Sequence, residues 1–261
     1  MHAFAQRWSM AGLVVLIFLA HAPCAAGTTE EARATALAAA GAVVSVELVV
    51  EVKMSYEGQT EKEQQKVSAN ATVIDPSGLA VTALSEIDPS GFSQFVEESE
   101  GFSYSVDVAD LKLRLEDGTE MQADMVGRDQ DLDLAFIRPK KAPDAPMKFV
   151  DLSRPGSPQI LDELVVVSRL GKAANQAIAA SVERVQAVVS KPRTFYVIYN
   201  LGNRGCPALT LDGNVIGITV KRMAKGGGSG RDPYSDYEEL DVILPAAAVL
   251  QAAGQVAGGA G

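Results

Sequence analysis

The sequence predicts an all-β protein, built as an antiparallel sandwich or a pair of barrels. Short runs along the chain alternate apolar and polar residues, carry β-branched side chains and are separated by turn signals. A proline-rich segment at 138–158 divides these runs into two halves, as a linker between two packed units would. Only residues 245–256, near the end, have the composition of a longer helix. With 47% hydrophobic residues among 261, the chain can form one large core or two small ones.

Ten segments are predicted as strands from the period-two pattern. In the first half they cover residues 42–54, 66–74, 104–115, 121–126 and 132–137. In the second half they cover residues 163–170, 178–189, 194–200, 214–222 and 239–244. The dipeptides Asp117-Gly118 and Asp212-Gly213 have the composition of hairpin turns.

The predicted organisation after residue 26 begins with a leader at 27–41. Its alanine- and glutamate-rich stretch favours a short helix. An N-terminal β-barrel at 42–145 follows, and then a C-terminal β-barrel with the closing helix at 146–253. The glycine-rich end at 254–261 is predicted to be disordered.

Residues 1–26 have the composition of an export signal. Arg7 supplies a positive charge, residues 11–20 form an apolar run, and small residues lead to a cleavage point near Ala26. His21 and Pro23 interrupt the run before it is long enough to span a membrane, so a permanent anchor is the weaker alternative. A lipid anchor at Cys24 is a further alternative. The sequence thus predicts a periplasmic or extracellular protein without stable membrane insertion.

Charge and composition exclude several classes of function. The 23 Lys and Arg against 33 Asp and Glu give a net charge of −10, which argues against nucleic acid as a partner. The two histidines are His2 and His21, and the two cysteines are Cys24 and Cys206. Cleavage near residue 26 therefore leaves no histidine and a single cysteine. We expect no intramolecular disulfide, no metal site and no cofactor.

Three blocks of residues stand out for their order and spacing. Residues 74–82 read IDPSGLAVT, residues 127–135 contain GRD and DLA, and residues 202–218 contain GNRGCP and LDGNVIGI. Over residues 43–249, the chain resembles the trypsin-like serine proteases of the HtrA (Deg) family. The resemblance covers the protease domain of that family only. The resemblance implies a chymotrypsin-like fold of two antiparallel six-stranded β-barrels and a short C-terminal helix, with a catalytic cleft between the barrels.

The catalytic residues of that family match only in part. The position of its histidine holds Ser85, its aspartate matches Asp133, and the position of its nucleophilic serine holds Arg204. Gly202, Asn203 and Arg204 then form the remnant of the oxyanion loop. A carboxylate is too weak a base to activate a hydroxyl, and an arginine is not a nucleophile. The departures therefore predict a pseudoprotease.

The resemblance also implies a strand that pairs with the backbone of a bound peptide. The corresponding residues here are Ile216, Gly217, Ile218, Thr219, Val220 and Lys221. Extended peptides, or unfolded or envelope proteins, are the expected partners. Loops at 87–103, with three phenylalanines, and at 223–237, rich in glycine, are further candidates for binding. The oligomeric state stays open, as do two rival interpretations: an unconventional active endopeptidase and an inert structural envelope protein.

The altered catalytic positions lead to one structural expectation. A buried Asp133 without a partner would be costly, and the small Ser85 leaves space beside it where an imidazole would lie. We expect the Arg204 guanidinium to fill that space and to pair with Asp133 within ~4 Å, with Ser85 bonded to the same carboxylate. Cys206 is interpreted as a buried small residue, because the chain after the leader offers it no histidine base.

Overall fold

The computed structural model describes residues 26–56, 59–88, 102–199, 202–225 and 237–258. Its N-terminal unit is a closed antiparallel barrel of six strands. These are β1 (Val43–Tyr56), β2 (Gln59–Val73), β3 (Ala80–Ala83), β4 (Phe102–Arg114), β5 (Glu120–Asp129) and β6 (Leu134–Pro139). Around the barrel they follow the order β1-β2-β3-β6-β5-β4. A short helix, α2 (Leu84–Ile87), begins where β3 ends.

The C-terminal unit is a curled half-barrel of seven strands. They are β7 (Glu163–Arg169), β8 (Ile178–Arg184), β9 (Ala187–Val189), β10 (Phe195–Val197), β11 (Pro207–Thr210), β12 (Val215–Lys225) and β13 (Tyr237–Pro245). Their order is β8-β7-β11-β12-β13-β10-β9. The predicted chymotrypsin-like fold is confirmed. The extra strand arises because residues 178–189 form two strands, separated where Val185 exchanges backbone hydrogen bonds with Leu161 and Asp162.

Two short strands, β3 and β11, are not predicted by the period-two pattern of apolar and polar residues. All four residues of β3 and three of the four in β11 are buried. A strand buried on both faces lacks the apolar and polar alternation that identifies a half-exposed strand. For the opposite reason, β2 begins seven residues earlier than predicted, since its first eight residues are all exposed.

The turn between β2 and β3 explains the DPSG motif. The carbonyl of Asp75 accepts the Gly78 N–H at 2.9 Å, and its side chain accepts the Ser77 N–H at 2.7 Å. Gly78 has a φ of +93°, which glycine adopts without strain. The predicted hairpin turns at Asp117-Gly118 and Asp212-Gly213 join β4 to β5 and β11 to β12.

The leader forms a helix that packs on the C-terminal unit. This helix, α1 (Ala26–Ala39), buries several alanines, and its Thr35 hydroxyl donates to a carbonyl of the β11–β12 turn at 2.6 Å. Just after the helix, the buried guanidinium of Arg169 donates to the carbonyls of Ala40 and Val43 at 3.1 and 3.0 Å. These bonds fix the leader and the start of β1 onto the end of β7.

The C-terminal helix is longer than predicted. It is α3 (Ala246–Gly258), so residues 254–258 are helical rather than disordered, and residues 259–261 lie outside the described part. Val256 packs against Gly127 of β5, where any Cβ would overlap the valine methyl groups, and this contact anchors the last turn. None of the helices in the described ranges is long and apolar enough to cross a membrane.

A shared apolar core joins the two units. It combines side chains of β3 and β6 with side chains of β12 and β13, among them Val81, Phe136, Ile218 and Leu244. Each unit also has a core of its own. The end of β3, the turn before β6 and the loop before β11 meet at the rim of the shared core, and the candidate site is formed there.

Several predicted features lie outside the described residues. They are the export signal up to residue 25, most of the loop at 87–103 and most of the loop at 223–237. Export, and a binding role for the two loops, therefore stay predictions.

Candidate functional site

Asp133 lies at the centre of a hydrogen-bond network where the two units meet. Its Oδ1 accepts the Ser85 N–H at 2.7 Å, and its Oδ2 accepts the Ser85 hydroxyl at 2.9 Å. Oδ2 also accepts the N–H of Lys221, from β12, at 2.7 Å. The carboxylate thus joins α2 of the barrel to β12 of the half-barrel. The predicted bond between Ser85 and Asp133 is confirmed.

The backbone and the charge of Asp133 are both unusual. Its φ is +55°, in the left-handed region that aspartate tolerates better than most residues. The Leu84 N–H donates to its carbonyl at 3.0 Å and holds this conformation against the start of α2. Burial raises the pKa of Asp133, while the hydrogen bonds from Lys221 and Ser85 oppose that rise.

Arg204 is held by three carboxylates, which we call the arginine clamp: Glu86, Glu239 and Asp241. Its Nε donates to Asp241 Oδ1 at 2.6 Å, its Nη1 donates to Glu86 Oε1 at 3.1 Å, and its Nη2 donates to Glu239 Oε1. The side chains of Arg204 and Asp241 are 16% and 8% exposed. Burial disfavours the charged guanidinium, but the hydrogen bond to Asp241 and the three negative charges outweigh it and raise the pKa of Arg204.

The predicted pair between Arg204 and Asp133 is wrong, because Arg204 directs its guanidinium to the clamp instead. Both oxygens of Asp133 already accept hydrogen bonds from Ser85 and Lys221. A cation gains little by approaching a carboxylate whose oxygens are occupied, when free carboxylates lie within reach. The buried carboxylate of Asp133 is thus stabilised by backbone and hydroxyl donors, and the charge of Arg204 is compensated separately by the clamp.

The loop that carries Arg204 is fixed from both units. The Thr219 hydroxyl donates to the carbonyl of Asn203, and the Gly205 N–H donates to the Thr219 carbonyl at 2.7 Å. The Gly205 carbonyl accepts the hydroxyl of Thr72, from β2, at 2.8 Å. Gly205 has a φ of +76°, and a Cβ there would overlap the carbonyl oxygen of Asn70. Its lack of a side chain therefore serves the contact between the two units.

Cys206 is a buried residue, as the sequence predicts. Its N–H donates to the Thr219 hydroxyl at 3.0 Å. Burial, together with the negative charge of Glu86, raises the pKa of the thiol above its usual range. A thiol in this environment resists forming the thiolate that a nucleophile requires.

The strand predicted to bind peptide is only partly accessible. Ile216, Gly217 and Ile218 lie in the interior of the sheet, in the part of β12 that runs between β11 and β13. A Cβ at Gly217 would overlap the carbonyl oxygen of Leu244, so this glycine is required by strand packing. These three residues offer no free backbone edge, which corrects the predicted location for them.

The outer part of β12 has a free edge that begins at Lys221. The N–H of Thr219 and the N–H of Lys221 both point away from β13, to Cys206 and to Asp133. Backbone direction alternates along a strand, so the N–H and C=O of Met223 also point away from β13. Within the described residues, neither group of Met223 is hydrogen-bonded on that side. The available edge therefore runs from the Lys221 carbonyl through Met223.

The family model described as trypsin-like peptidase domain matches residues 69–218, which is more than half of the chain. The chain belongs to the trypsin-like peptidase domain family. The match includes the positions of Ser85, Asp133 and Arg204. No curated protein matches the chain.

Three acidic residues of this trypsin-like domain are not identified by sequence patterns: Glu86, Glu239 and Asp241. Asp241 does carry a usable signal, because it interrupts the otherwise apolar run at 240–244. A charge in such a strand requires a partner, and the arginine in the motif at 202–207 is a candidate of opposite charge. Among the described residues, no group of three or more His, Cys, Asp or Glu side chains is placed to hold a metal ion.

Replacing Arg204 should destabilise this trypsin-like domain strongly. Arg204→Ala leaves Asp241, at 8% exposure, without its guanidinium, so we expect the free energy of unfolding to fall by about 3 kcal/mol. Urea denaturation followed by circular dichroism measures this loss. The double variant Arg204→Met with Asp241→Leu should recover most of it, because two apolar side chains need no counter-charge.

A surface pair provides the control for this experiment. Arg128 is 61% exposed and its Nη1 lies 3.7 Å from Asp88 Oδ2, so Arg128→Ala should cost less than about 1 kcal/mol. If Arg204→Ala unfolds at the same urea concentration as the unmodified protein, the clamp does not stabilise the fold.

Removing the Ser85 hydroxyl should raise the pKa of Asp133 further. The hydroxyl donates to the charged carboxylate, so Ser85→Ala weakens the stabilisation of the anion while burial remains. Because burial raises the pKa of Asp133 in the folded protein, its protonated form favours folding. This contribution to the free energy of unfolding is complete below the unfolded pKa, and it is lost as pH rises through the higher folded pKa. Carboxyl-carbon NMR titration of both proteins measures the difference. Ser105→Ala, at an exposed position of β4, is the control. An unchanged or lower pKa of Asp133 in Ser85→Ala would refute the role of the Ser85 hydroxyl as a hydrogen-bond donor that stabilises the Asp133 anion.

Proposed function

We propose that the protein is an exported, HtrA-like pseudoprotease that performs no peptide hydrolysis and binds extended protein segments along its old substrate cleft. The observation that carries the proposal is that both residues at the altered catalytic positions already hold other partners. Ser85 is bonded to Asp133, and Arg204 is bonded to the clamp. The proposed location is periplasmic or extracellular, after cleavage near Ala26.

The chemistry supports the absence of hydrolysis. Acyl transfer by a serine requires a base within hydrogen-bond reach, and that base is normally an imidazole with a pKa near 6.5. The sequence contains no histidine after His21. Burial raises the pKa of Asp133, but both of its carboxylate oxygens already accept hydrogen bonds, and the guanidinium at position 204 has no lone pair to attack a carbonyl.

The free edge of β12 supports the binding role. From the Lys221 carbonyl through Met223, the backbone donors and acceptors on the side away from β13 have no partner among the described residues. An extended segment can add as a further strand there, as in other proteins that bind peptides by β-augmentation. Main-chain hydrogen bonds give affinity with little sequence preference. We therefore propose weak and broad binding.

The clamp favours a second function, that of a structural envelope protein with a filled cleft. Arg204 occupies the nucleophile's position with its side chain only 16% exposed. A filled position at the centre of the cleft prevents a bound segment from placing a side chain there. The two functions differ in one property, because the structural protein would leave the β12 edge unused.

The purified protein should show no serine-hydrolase activity. Loss of a catalytic triad lowers kcat by about 10⁶-fold, so neither casein cleavage nor labelling by a fluorophosphonate probe is expected. Restoring Ser85→His together with Arg204→Ser should give little activity, because the second change also removes the counter-charge of Asp241. Probe labelling that disappears in Ser85→Ala would overturn the proposal and establish an unconventional active enzyme.

Strand addition should depend on the backbone N–H of Met223. Met223→Pro removes this donor and leaves the bonds between β12 and β13 intact, because the lost N–H points away from β13. We expect about fivefold weaker binding of extended peptides by calorimetry, the scale of one backbone hydrogen bond. Met223→Ala keeps the donor and is the matched control. Equal binding by both variants would refute strand addition, and no binding by the unmodified protein would favour the structural function.

A further inference from the structure

The strand β8 has a free backbone edge at one end of the seven-stranded sheet. At the start of β8, the Leu170 N–H donates to the Ala177 carbonyl at 2.9 Å. After its end, the Val185 N–H donates to the Asp162 carbonyl at 3.0 Å. Odd-numbered residues of β8 therefore direct their backbone groups to β7, and even-numbered residues direct theirs away from it. Within the described ranges, the backbone groups of these even-numbered residues form no hydrogen bond on that outer side.

This edge lacks the features that normally prevent the association of free strands. Natural edge strands are protected by charged side chains, above all lysine, or by proline. Residues 177–182 read AIAASV, with no charge and no proline. Val182 is 51% exposed, and Ala180 is also exposed. An exposed apolar edge of this kind favours pairing with another strand.

The outer part of β2 is a second long edge, and it shows the usual protection. β2 pairs with β3 only at Thr72 and Val73, so its earlier residues have β1 as a neighbour on one side only. Residues 59–66 read QTEKEQQK, and all of them are exposed. Four charged side chains in this stretch oppose the addition of another strand. The absence of such charges from 177–182 therefore distinguishes the β8 edge.

We propose that the β8 edge pairs with the same edge of a second copy, so that the protein forms a two-fold dimer with a sheet continuous across both half-barrels. A two-fold axis perpendicular to the sheet makes the two strands antiparallel. Outward-facing backbone groups then have to lie opposite one another. The register centred on Ala180 meets this condition and places Ile178 opposite Val182 of the other copy, twice in each dimer.

Other registers that satisfy the backbone condition are less favourable. A register centred on Glu183 places this carboxylate opposite its own copy. Registers centred on Ser181 or Val182 place Arg184 opposite an apolar residue. The net charge of −10 repels two copies of the chain, so the contact requires an uncharged centre, which the register at Ala180 provides. In the sheet, β7 and β11 lie between β8 and β12, so this pairing does not use the β12 edge.

Sedimentation equilibrium of the protein lacking the predicted export signal tests the inference. We expect dimers with a Kd below about 1 mM and no larger species, because a two-fold pair closes on itself. Ala180→Pro removes the outward N–H at the centre of the pair and leaves the bonds to β7 intact. It should weaken dimerisation about thirtyfold, the scale of the two hydrogen bonds that each dimer loses. Ala180→Ser keeps this N–H and should dimerise like the unmodified protein.

Gln64→Pro makes the same change on the charged edge of β2 and is the matched control. The Ile74 N–H donates to the Leu79 carbonyl across the β2–β3 turn, so even-numbered residues of β2 direct their backbone groups away from β1. Gln64→Pro should therefore leave dimerisation unchanged. An unmodified protein that stays monomeric up to about 1 mM, or equal weakening by both proline variants, would overturn the inference.

Val182→Lys is a second test, which keeps every backbone donor. The exposed position tolerates lysine in the monomer, and circular dichroism verifies the folding of each variant. In the dimer two apolar pairs are lost, so we expect about fivefold weaker association. This variant decides the question alone if Ala180→Pro does not fold. A dimer that Val182→Lys leaves unchanged has its contact elsewhere, and that result would also overturn the inference.

Discussion

The arrangement of the cleft depends on the charge of Arg204. Arg204 lies where the two units meet, so its side chain contacts both of them. An arginine at this point brings a permanent charge into a partly buried position, and carboxylates must compensate for it. Glu86 supplies one from the barrel, and Glu239 and Asp241 supply two from the half-barrel. The same contacts that neutralise the charge therefore join the two units and fill the centre of the cleft.

The three sides of β12 have separate properties. One face carries Lys221 beside the clamp, and the other face carries Arg222 above Phe195. At the outer edge, the backbone groups of Met223 that point away from β13 have no hydrogen-bond partner in the part of the chain that the structure describes. The first face lies beside Arg204 and its three carboxylates. Binding by strand addition requires only the edge. A change of side chains on one face of β12 therefore does not by itself alter the other face or the backbone edge.

Much of the fold follows from local sequence patterns, and much of the site does not. Alternating strands and Asp-Gly turns are local, and the motif spacing places Ser85, Asp133 and Arg204 in one region. The partner of Arg204 is not predictable in this way, because Glu86 and Asp241 are distant in sequence and because the donors that occupy Asp133 are backbone groups positioned by tertiary structure. The free edge is displaced from its predicted position for a similar reason, since β11, a buried strand without alternation, covers the inner half of β12.

Gly205 shows that a glycine of a protease-like motif can be required by packing alone. A side chain at this position would overlap the Asn70 carbonyl, and its own carbonyl accepts the Thr72 hydroxyl from the neighbouring barrel. Gly217 is similarly required by the close approach of β13. Motif glycines of this kind are required where backbone segments approach closely, within a sheet or between the two units. A genome survey that searches for such glycines therefore identifies proteins that share this fold. The number of active enzymes among those proteins has to be determined from the residues at the positions of Ser85 and Arg204.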